Sequence, residues 1–262
     1  MIIAHTAESL SHGRAGEVGM KVVWLSSGVS SFVAGYLAKD VDEWIYIDIE
    51  DQHPDSIRFI HDCEKVIGKQ VTVLRSPYYS TVEQVCLSVR YVNGIHGAPC
   101  TRLLKKQVRK RWENEQKILG NTDLTYVWGM DCNEKHRADR IVEGFPEVKH
   151  EFPLIDRGFT KDDAHGICRQ LGIRRPAMYD MGYNNNNCIG CVKGGAGYWN
   201  KIRQDFPQVF EQRAKMEREI GHSILKDCFL DELPADKGRM SEEVMDECSI
   251  LCQIAIMDKT VR

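Results

Sequence analysis

Apolar positions along the chain come in short unbroken runs that alternate with stretches of helical spacing. KVVWLSS, Lys21 to Ser27, is a β-rich run ending at Gly28, which predicts a buried strand entering a tight turn. In SSFVAGYLAKD, Phe32, Val33, Tyr36 and Leu37 recur along one helix face, so a helix follows at once. DEWIYIDIE, Asp42 to Glu50, predicts a second strand, HPDSIRFIHDCEKVIG a helix opened by Pro54 and closed by Gly68, and KQVTVLRS a third strand. A helix over about 101 to 116, a strand from Leu124 to Met130 and a helix over about 134 to 143 continue the alternation. Strands separated by helices in this way predict an α/β fold with an open, mostly parallel sheet.

The pattern then changes. TKDDAHGICRQLGI reads as a helix with Thr160 and Asp163 at capping-box spacing. A polar, glycine-rich loop follows, then a charged helix around Phe206 to Ile220 and a last helix around Glu242 to Ile256. The organisation read from this is a flexible lead over 1–20, an α/β domain over 21–180, and a loop with a C-terminal helical extension over 181–262.

Composition narrows the class. At 262 residues the chain is long enough for a sizeable core, and no apolar run approaches the roughly 20 residues that span a bilayer. No membrane partner is expected. The first twenty residues lack a basic stretch followed by a long apolar one, so they do not read as a secretory signal. Ten cysteines without such a signal predict a cytoplasmic protein whose thiols are ligands, nucleophiles or small core residues. The net charge of −3 excludes a globally basic nucleic-acid binder and leaves room for a local basic patch.

Three stretches carry chemistry. WLSSGVSSF sets a glycine among serines between a strand and a helix start, gathering backbone N–H groups, hydroxyls and the positive helix end around one point. An anion belongs there, although an ordinary small-residue turn has the same composition. YNNNNCIGCVKGGAGYW, Tyr183 to Trp199, holds Cys188 and Cys191 as a Cys-x-x-Cys pair. No second Cys or His pair lies nearby to complete a zinc site, and the flanking pattern is not a thioredoxin-like strand-to-helix turn. CTRLLKKQVRKRW is the strongest basic run, Arg102, Lys105, Lys106, Arg109, Lys110 and Arg111, with Leu104, Val108 and Trp112 as an apolar stripe. That helix, 101–112, would attract phosphates of a nucleotide or of a nucleic acid; its distal half reads equally well as a solvated face.

SSGVSS resembles the S-G-G-x-D-S pyrophosphate loop of the adenine-nucleotide α-hydrolase (PP-loop) superfamily. YIDIEDQHPDSIRF resembles the I-D-T-G-x-x-x-P-E-T segment of its phosphoadenosine phosphosulfate (PAPS) reductase branch. The resemblance runs from about Lys21 to about Ile220 and implies a Rossmann-like sheet. It implies that Ser26, Ser27, Gly28, Ser30 and Ser31 hold phosphates, that Asp48 stands at the adjacent strand tip, and that Lys105 lies near the nucleotide. Ser30 replaces the aspartate that helps ATP-cleaving members handle magnesium pyrophosphate, so ATP with Mg and adenylylsulfate (APS) or PAPS all stay open.

In APS reductases of this branch, a Cys-Cys pair and a later Cys-x-x-Cys hold a 4Fe-4S cluster. Here Cys100 opens the basic run 88 positions before Cys188, with Pro99 in front of it. The resemblance thus implies a cluster on Cys100, Cys188 and Cys191 with one open iron, as in the superfamily's tRNA thiolases; the alternative is that the pair binds zinc or nothing. In WGMDCNEKHRADR the reductases would show arginines where Asp131 and Cys132 stand, and Glu134 resembles the acid of ATP-cleaving and thiolating relatives. Cys132 would carry a persulfide or pack as a small residue. Cys248 and Cys252, in DECSILCQIAI, faintly resemble the E-C-G-[LI]-H tail whose cysteine attacks sulfur, with Gly and His absent; core packing is the other reading. Cys63, Cys86, Cys168 and Cys228 fall in apolar patterns and read as packing residues, and the nine histidines show no ligand spacing.

The function expected is nucleotide-dependent sulfur transfer, with ATP adenylylating an acceptor and cluster-bound sulfide displacing AMP. Reduction of APS or PAPS by Cys248 is the alternative, and a noncatalytic nucleotide-binding or cluster-sensing protein the third. Expected partners are the adenine nucleotide, an acceptor reached through the basic helix if it is a nucleic acid, and a second copy in a homodimer.

Overall fold

A computed structural model describes residues 19–94 and 97–243. Among these, five strands form one sheet of order β3-β2-β1-β4-β5, all parallel: β1 (Met20–Leu25), β2 (Glu43–Ile47), β3 (Thr72–Leu74), β4 (Leu124–Val127) and β5 (Lys149–Glu151). This is the α/β sheet expected from the alternation. Its strands are shorter than the apolar runs, so the run to Met130 ends as strand at Val127 and Asp48 falls just past β2.

Side-chain alternation builds two of the three cores. Val23, Leu25, Trp44 and Tyr46 face one side, where they pack with α1 (Val29–Leu37), α2 (Asp55–Ile67) and α7 (Lys161–Gln170). Val22, Trp24, Ile45 and Tyr126 face the other, against α4 (Gln107–Ile118) and α5 (Lys135–Gly144). A third cluster lies beyond the carboxyl ends of the strands. It joins α3 (Val82–Val89), the Cys-x-x-Cys loop, α9 (Ala196–Asp205) and α10 (Pro207–Ile220), with Ile49 from the main sheet connection. Two short helices, α6 (Pro153–Asp156) and α8 (Ala177–Asp180), complete the connections.

Three departures from the sequence pattern have physical causes. Residues Thr101–Lys106 form a π-helix that runs into α4, the Gln107 N–H reaching the Arg102 carbonyl. Its wider turn takes Lys105 to the buried side with Leu104, and Arg109 is buried too, its guanidinium over the Phe145 ring and 3.5 Å from Glu113. The basic run is therefore not one continuous face. Helix α9 starts inside the glycine-rich stretch, where no period signals it, and β5 is a three-residue charged strand of the kind that blunts a sheet edge. Most of the lead 1–20 and most of the last helix expected over Glu242 to Ile256, with Cys248 and Cys252, lie outside the described residues.

What locks the extension to the sheet is Asp51, in the β2–α2 connection. Its carboxylate pairs with Arg213 of α10 and accepts the Val82 N–H at 2.6 Å, and its carbonyl accepts the Ile189 N–H at 2.8 Å. Arg213 is 1% exposed, so removing its partner strands a buried charge. Asp51→Ala is expected to cost about 3–5 kcal/mol in urea unfolding at neutral pH; a loss below about 1 kcal/mol would show that the pair does not hold the layers.

A second junction is acid-sensitive. Asp55 accepts hydrogen bonds from Arg58 at 2.6 and 2.9 Å and from the Ala177 N–H at 2.8 Å. The Arg58 hydrogen bonds hold its carboxyl below the usual 3.8, with the Ala177 N–H helping against burial. A depressed acid contributes stability that is present above its unfolded value and lost as pH falls through its folded value. In a pH series of thermal melts, Asp55→Asn is expected to lower stability at neutral pH and to flatten the loss below about pH 4.

Candidate functional site

The loop between β1 and α1 lies at the carboxyl edge of the sheet's central strand, where ligands of open α/β sheets bind. Its hydroxyls are largely used to shape it. The Ser26 N–H and Ser26 Oγ both donate to Ser31 Oγ, at 3.0 and 2.9 Å, and Ser31 Oγ donates to the Gly28 carbonyl at 2.9 Å. The Gly28 N–H donates to Ser26 Oγ at 3.2 Å. Ser27 sits at φ 59°, a left-handed conformation rare outside glycine, and its hydroxyl turns back on the Ser26 carbonyl at 2.6 Å. Helix α1 begins at Gly28 with no side-chain cap and no acidic residue in its first turn. Its positive end is thus left to a ligand or to water. Ser30, standing where the resembling loops carry an acid, is buried in that first turn.

Gly129 is a site residue that sequence reasoning missed. A Cβ there would fall 2.4 Å from the backbone N and Cα of Ser31, so only glycine lets the chain leaving β4 pass the start of α1. Its signal was visible as the lone glycine of WGMD between a strand and a helix.

The other missed residue is Asn186. Its Nδ2 donates to the Ser27 carbonyl at 2.8 Å, Ser27 Oγ at 3.1 Å and Ser56 Oγ at 3.0 Å. The carbonyl can only accept, which fixes the amide orientation. The run NNNN looks like low complexity, yet Asn185, Asn186 and Asn187 are all buried. Two positions on, Cys188 begins the thiol pair; Cys188 and Cys191 are each 5% exposed. Tyr198 braces the turn between them, accepting the Cys191 N–H at 2.9 Å and donating to the Cys188 carbonyl at 3.1 Å. Gly190, at φ 69°, makes that turn possible.

Tyr46 marks where three segments converge. Burial raises its hydroxyl pKa most, and the nearby Asp48 and Cys188 raise it further, while Ser27 works the other way. Serine loop, strand tip and thiol pair are therefore neighbours. Asp48 itself is engaged outward, taking Arg75 Nε at 2.8 Å and the Leu74 carbonyl through its own N–H at 2.9 Å.

The remaining expected residues are placed as follows. Glu134 accepts the Asp131 N–H at 3.2 Å and pairs with Arg137, closing a capping box with Asp131 ahead of α5. Cys132, half-buried, donates its N–H to the Phe159 carbonyl at 2.9 Å. Lys105 is buried in the π-helix. Cys100, half-buried one position before it, packs on the apolar cluster that contains Cys188 and Cys191. Soft thiolates in apolar surroundings suit iron and sulfide. Among the described residues, however, no group of three or more His, Cys, Asp or Glu side chains is arranged to hold a metal ion. Cys63, Cys86 and Cys168 are buried core residues, as their pattern suggested, and burial lifts all three thiols, Cys86 to about 12 and Cys168 to about 11. No helix among the described residues is long and apolar enough to cross a membrane.

No protein-family model and no curated relative matches the sequence. Among solved structures, the chain is similar to a phosphoadenylyl-sulfate (PAPS) reductase from Candida auris in a phosphate complex, at 13% identity and a TM-score of 0.46, over 66% of this chain and 82% of that one. At that distance the function has to be argued from the site.

Asn186→Ala removes the amide that ties the thiol loop to the serine loop. The expected result is a loss of about 1–3 kcal/mol together with faster labelling of Cys188 and Cys191 by a thiol reagent in the native protein. Unchanged labelling at both positions would show that Asn186 does not position the pair.

Proposed function

We propose that the protein binds the phosphates of an adenine nucleotide at the Ser26–Ser31 loop and carries out sulfur chemistry there, with sulfur transfer to a nucleotide-activated acceptor as the reaction class. The observation that carries this reading is the Asn186 tie to Ser27, which holds a buried thiol pair against an uncapped helix start. The buried Oδ1 of Asn186, without a partner among the described residues, is an acceptor that a bound donor would satisfy.

The chemistry follows from the charges. A helix end with no acid in its first turn favours phosphate oxygens and supports negative charge building on a departing phosphate. In the proposed sequence an acceptor oxygen attacks the α-phosphorus of ATP and pyrophosphate leaves. A sulfide-level sulfur then attacks the activated carbon and AMP leaves. Activation removes the need to expel hydroxide, and a soft sulfur nucleophile is effective at neutral pH. Because Ser30 brings no carboxylate, any magnesium would enter on the nucleotide. Glu134, held by Asp131 and Arg137, is assigned to positioning the start of α5. The proposed sulfur source is inorganic sulfide, which a 4Fe-4S cluster on Cys100, Cys188 and Cys191 would hold; a persulfide on Cys132 would form a disulfide with the acceptor carbon and need a reducing thiol to release the product, and neither source is needed for the nucleotide assignment.

One observation favours a second reading, reduction of a sulfonucleotide. The Glu243 carboxylate accepts the Gly195 N–H at 3.0 Å and the Gly197 N–H at 2.7 Å at the start of α9. The chain that leads to Cys248 is thereby rooted beside the thiol loop, five residues or at most about 17 Å away. There a Cys248 thiolate would attack the sulfate sulfur, the nucleotide phosphate would leave, and a second thiol would release sulfite and form a disulfide.

Full-length protein purified without oxygen separates these. ATP binding is expected, weakened at least about tenfold in Gly28→Val, where a branched side chain enters the loop; equal affinity in a folded variant would remove the nucleotide site. Sulfite release from APS or PAPS, lost in Cys248→Ser, would put reduction first. Iron and acid-labile sulfide lost from Cys100→Ala, Cys188→Ala and Cys191→Ala but kept in Cys63→Ala is the expectation for the cluster.

A further inference from the structure

A second concave surface lies past the carboxyl end of β3. The segment leaving β3 and the outer face of the π-helix and α4 enclose a cavity of about 290 Å³, lined among others by Tyr78, Leu103, Gln107, Lys110, Arg111 and Asn114. Tyr78 is 79% exposed. An aromatic ring held that far into water has a hydration cost and no packing in return. The turn that presents it is ordered by Ser76, whose Oγ accepts the Tyr78 N–H at 3.3 Å and the Tyr79 N–H at 3.4 Å.

The charge opposite the ring is positive. Lys110 enters no ion pair among the described residues. Arg111 has one exposed pair, to Glu115 at 3.8 Å, of the kind that adds little. One turn earlier Lys106 has its pKa lowered by burial and then by Lys110 and Arg109, the effect of cations crowded together. Arg75 is paired with Asp48 just past the tip of β2, and its carbonyl accepts Arg111 Nη2 at 3.4 Å. The division of the basic run now has a meaning: Lys105 and Arg109 are buried, while Lys110 and Arg111 line the groove.

An exposed ring beside cations and amides in a concavity suits one ligand chemistry, a flat base joined to phosphates. Bases in a duplex hide their faces, so the match is to unpaired strands, which bind by stacking on aromatic side chains while cations follow the backbone. We propose that this groove binds single-stranded nucleic acid, with a base stacked on Tyr78 and neighbouring phosphates on Lys110 and Arg111. The proposal deepens the functional reading by naming the acceptor class, and rests on it in that respect alone, since the binding itself does not require the serine loop.

The test is fluorescence anisotropy of full-length protein with a labelled oligonucleotide of about a dozen unpaired residues, in ribo and deoxyribo forms, across a salt series. At least one form is expected to bind. Tyr78→Ala should weaken binding about tenfold with an unchanged salt slope, and Tyr78→Phe should restore it. Lys110→Ala and Arg111→Ala should each lower the magnitude of the slope by about 0.7. Gly28→Val should bind the strand as the parent does, so that loss of nucleotide binding and loss of strand binding are read separately. No binding of either form at low salt, unchanged affinity in Tyr78→Ala, or equal competition by a duplex or an acidic peptide of the same charge would overturn the proposal.

Discussion

Everything at the carboxyl end of the sheet depends on the buried pair between Asp51 and Arg213. Two charges out of water are stable only when each is fully engaged, so the pair demands a fixed geometry from every segment around it. Asp51 meets that demand by also holding the Val82 N–H at the start of α3 and, through its carbonyl, the Ile189 N–H in the thiol loop. One residue thus sets the relation of the β2–α2 connection, α3, α10 and the Cys-x-x-Cys turn. The third apolar cluster, with Trp199, Tyr198 and Phe210 at its centre, fills in around that geometry.

The consequence for the site is a short mechanical chain. Asp51 fixes Ile189, Ile189 flanks Cys188, and Asn186 on the other side of Cys188 reaches back to Ser27 and Ser56. The thiol loop is pinned on both sides of Cys188, at the serine loop and at the connection beside it. The serine loop is held from below as well, since Gly129 lies against the backbone of Ser31. A left-handed Ser27 in the middle of these contacts is the sort of strain a site retains when its surroundings over-determine it.

Much of the fold could be read from local pattern because local pattern is what makes parallel strands and amphipathic helices. Lys21 to Ser27 and the helical spacing from Phe32 to Leu37 needed no partner to be recognised. The loop Ser26 to Ser31 was legible for the same reason. What stayed hidden is set by distance in sequence: Arg213 pairs with Asp51 across 162 positions, and Asn186 reaches Ser27 across 159. Nothing in the run NNNN distinguishes Asn186 from its neighbours until Ser27 is opposite it. The extra residue of the π-helix was equally invisible, because Leu104, Val108 and Trp112 keep their α-helical stripe while Lys105 turns inward beside them.

The five buried cysteines among the described residues separate into two groups by environment. A thiol reacts as thiolate, so one lifted by an apolar surround is quiet at neutral pH. Cys63 and Cys168 lie in the core between α1, α2 and α7, and Cys86 in α3; burial raises all three. Each contributes volume. Cys188 and Cys191 are equally hidden from solvent, but their loop carries the polar ties to Ser27, Asp51 and Tyr198, and Cys188 bears electrostatically on Tyr46. A packing cysteine needs no such apparatus. Hydrogen bonds spent on orienting a turn, rather than on satisfying a helix or a strand, fix where these two sulfur atoms stand relative to the start of α1.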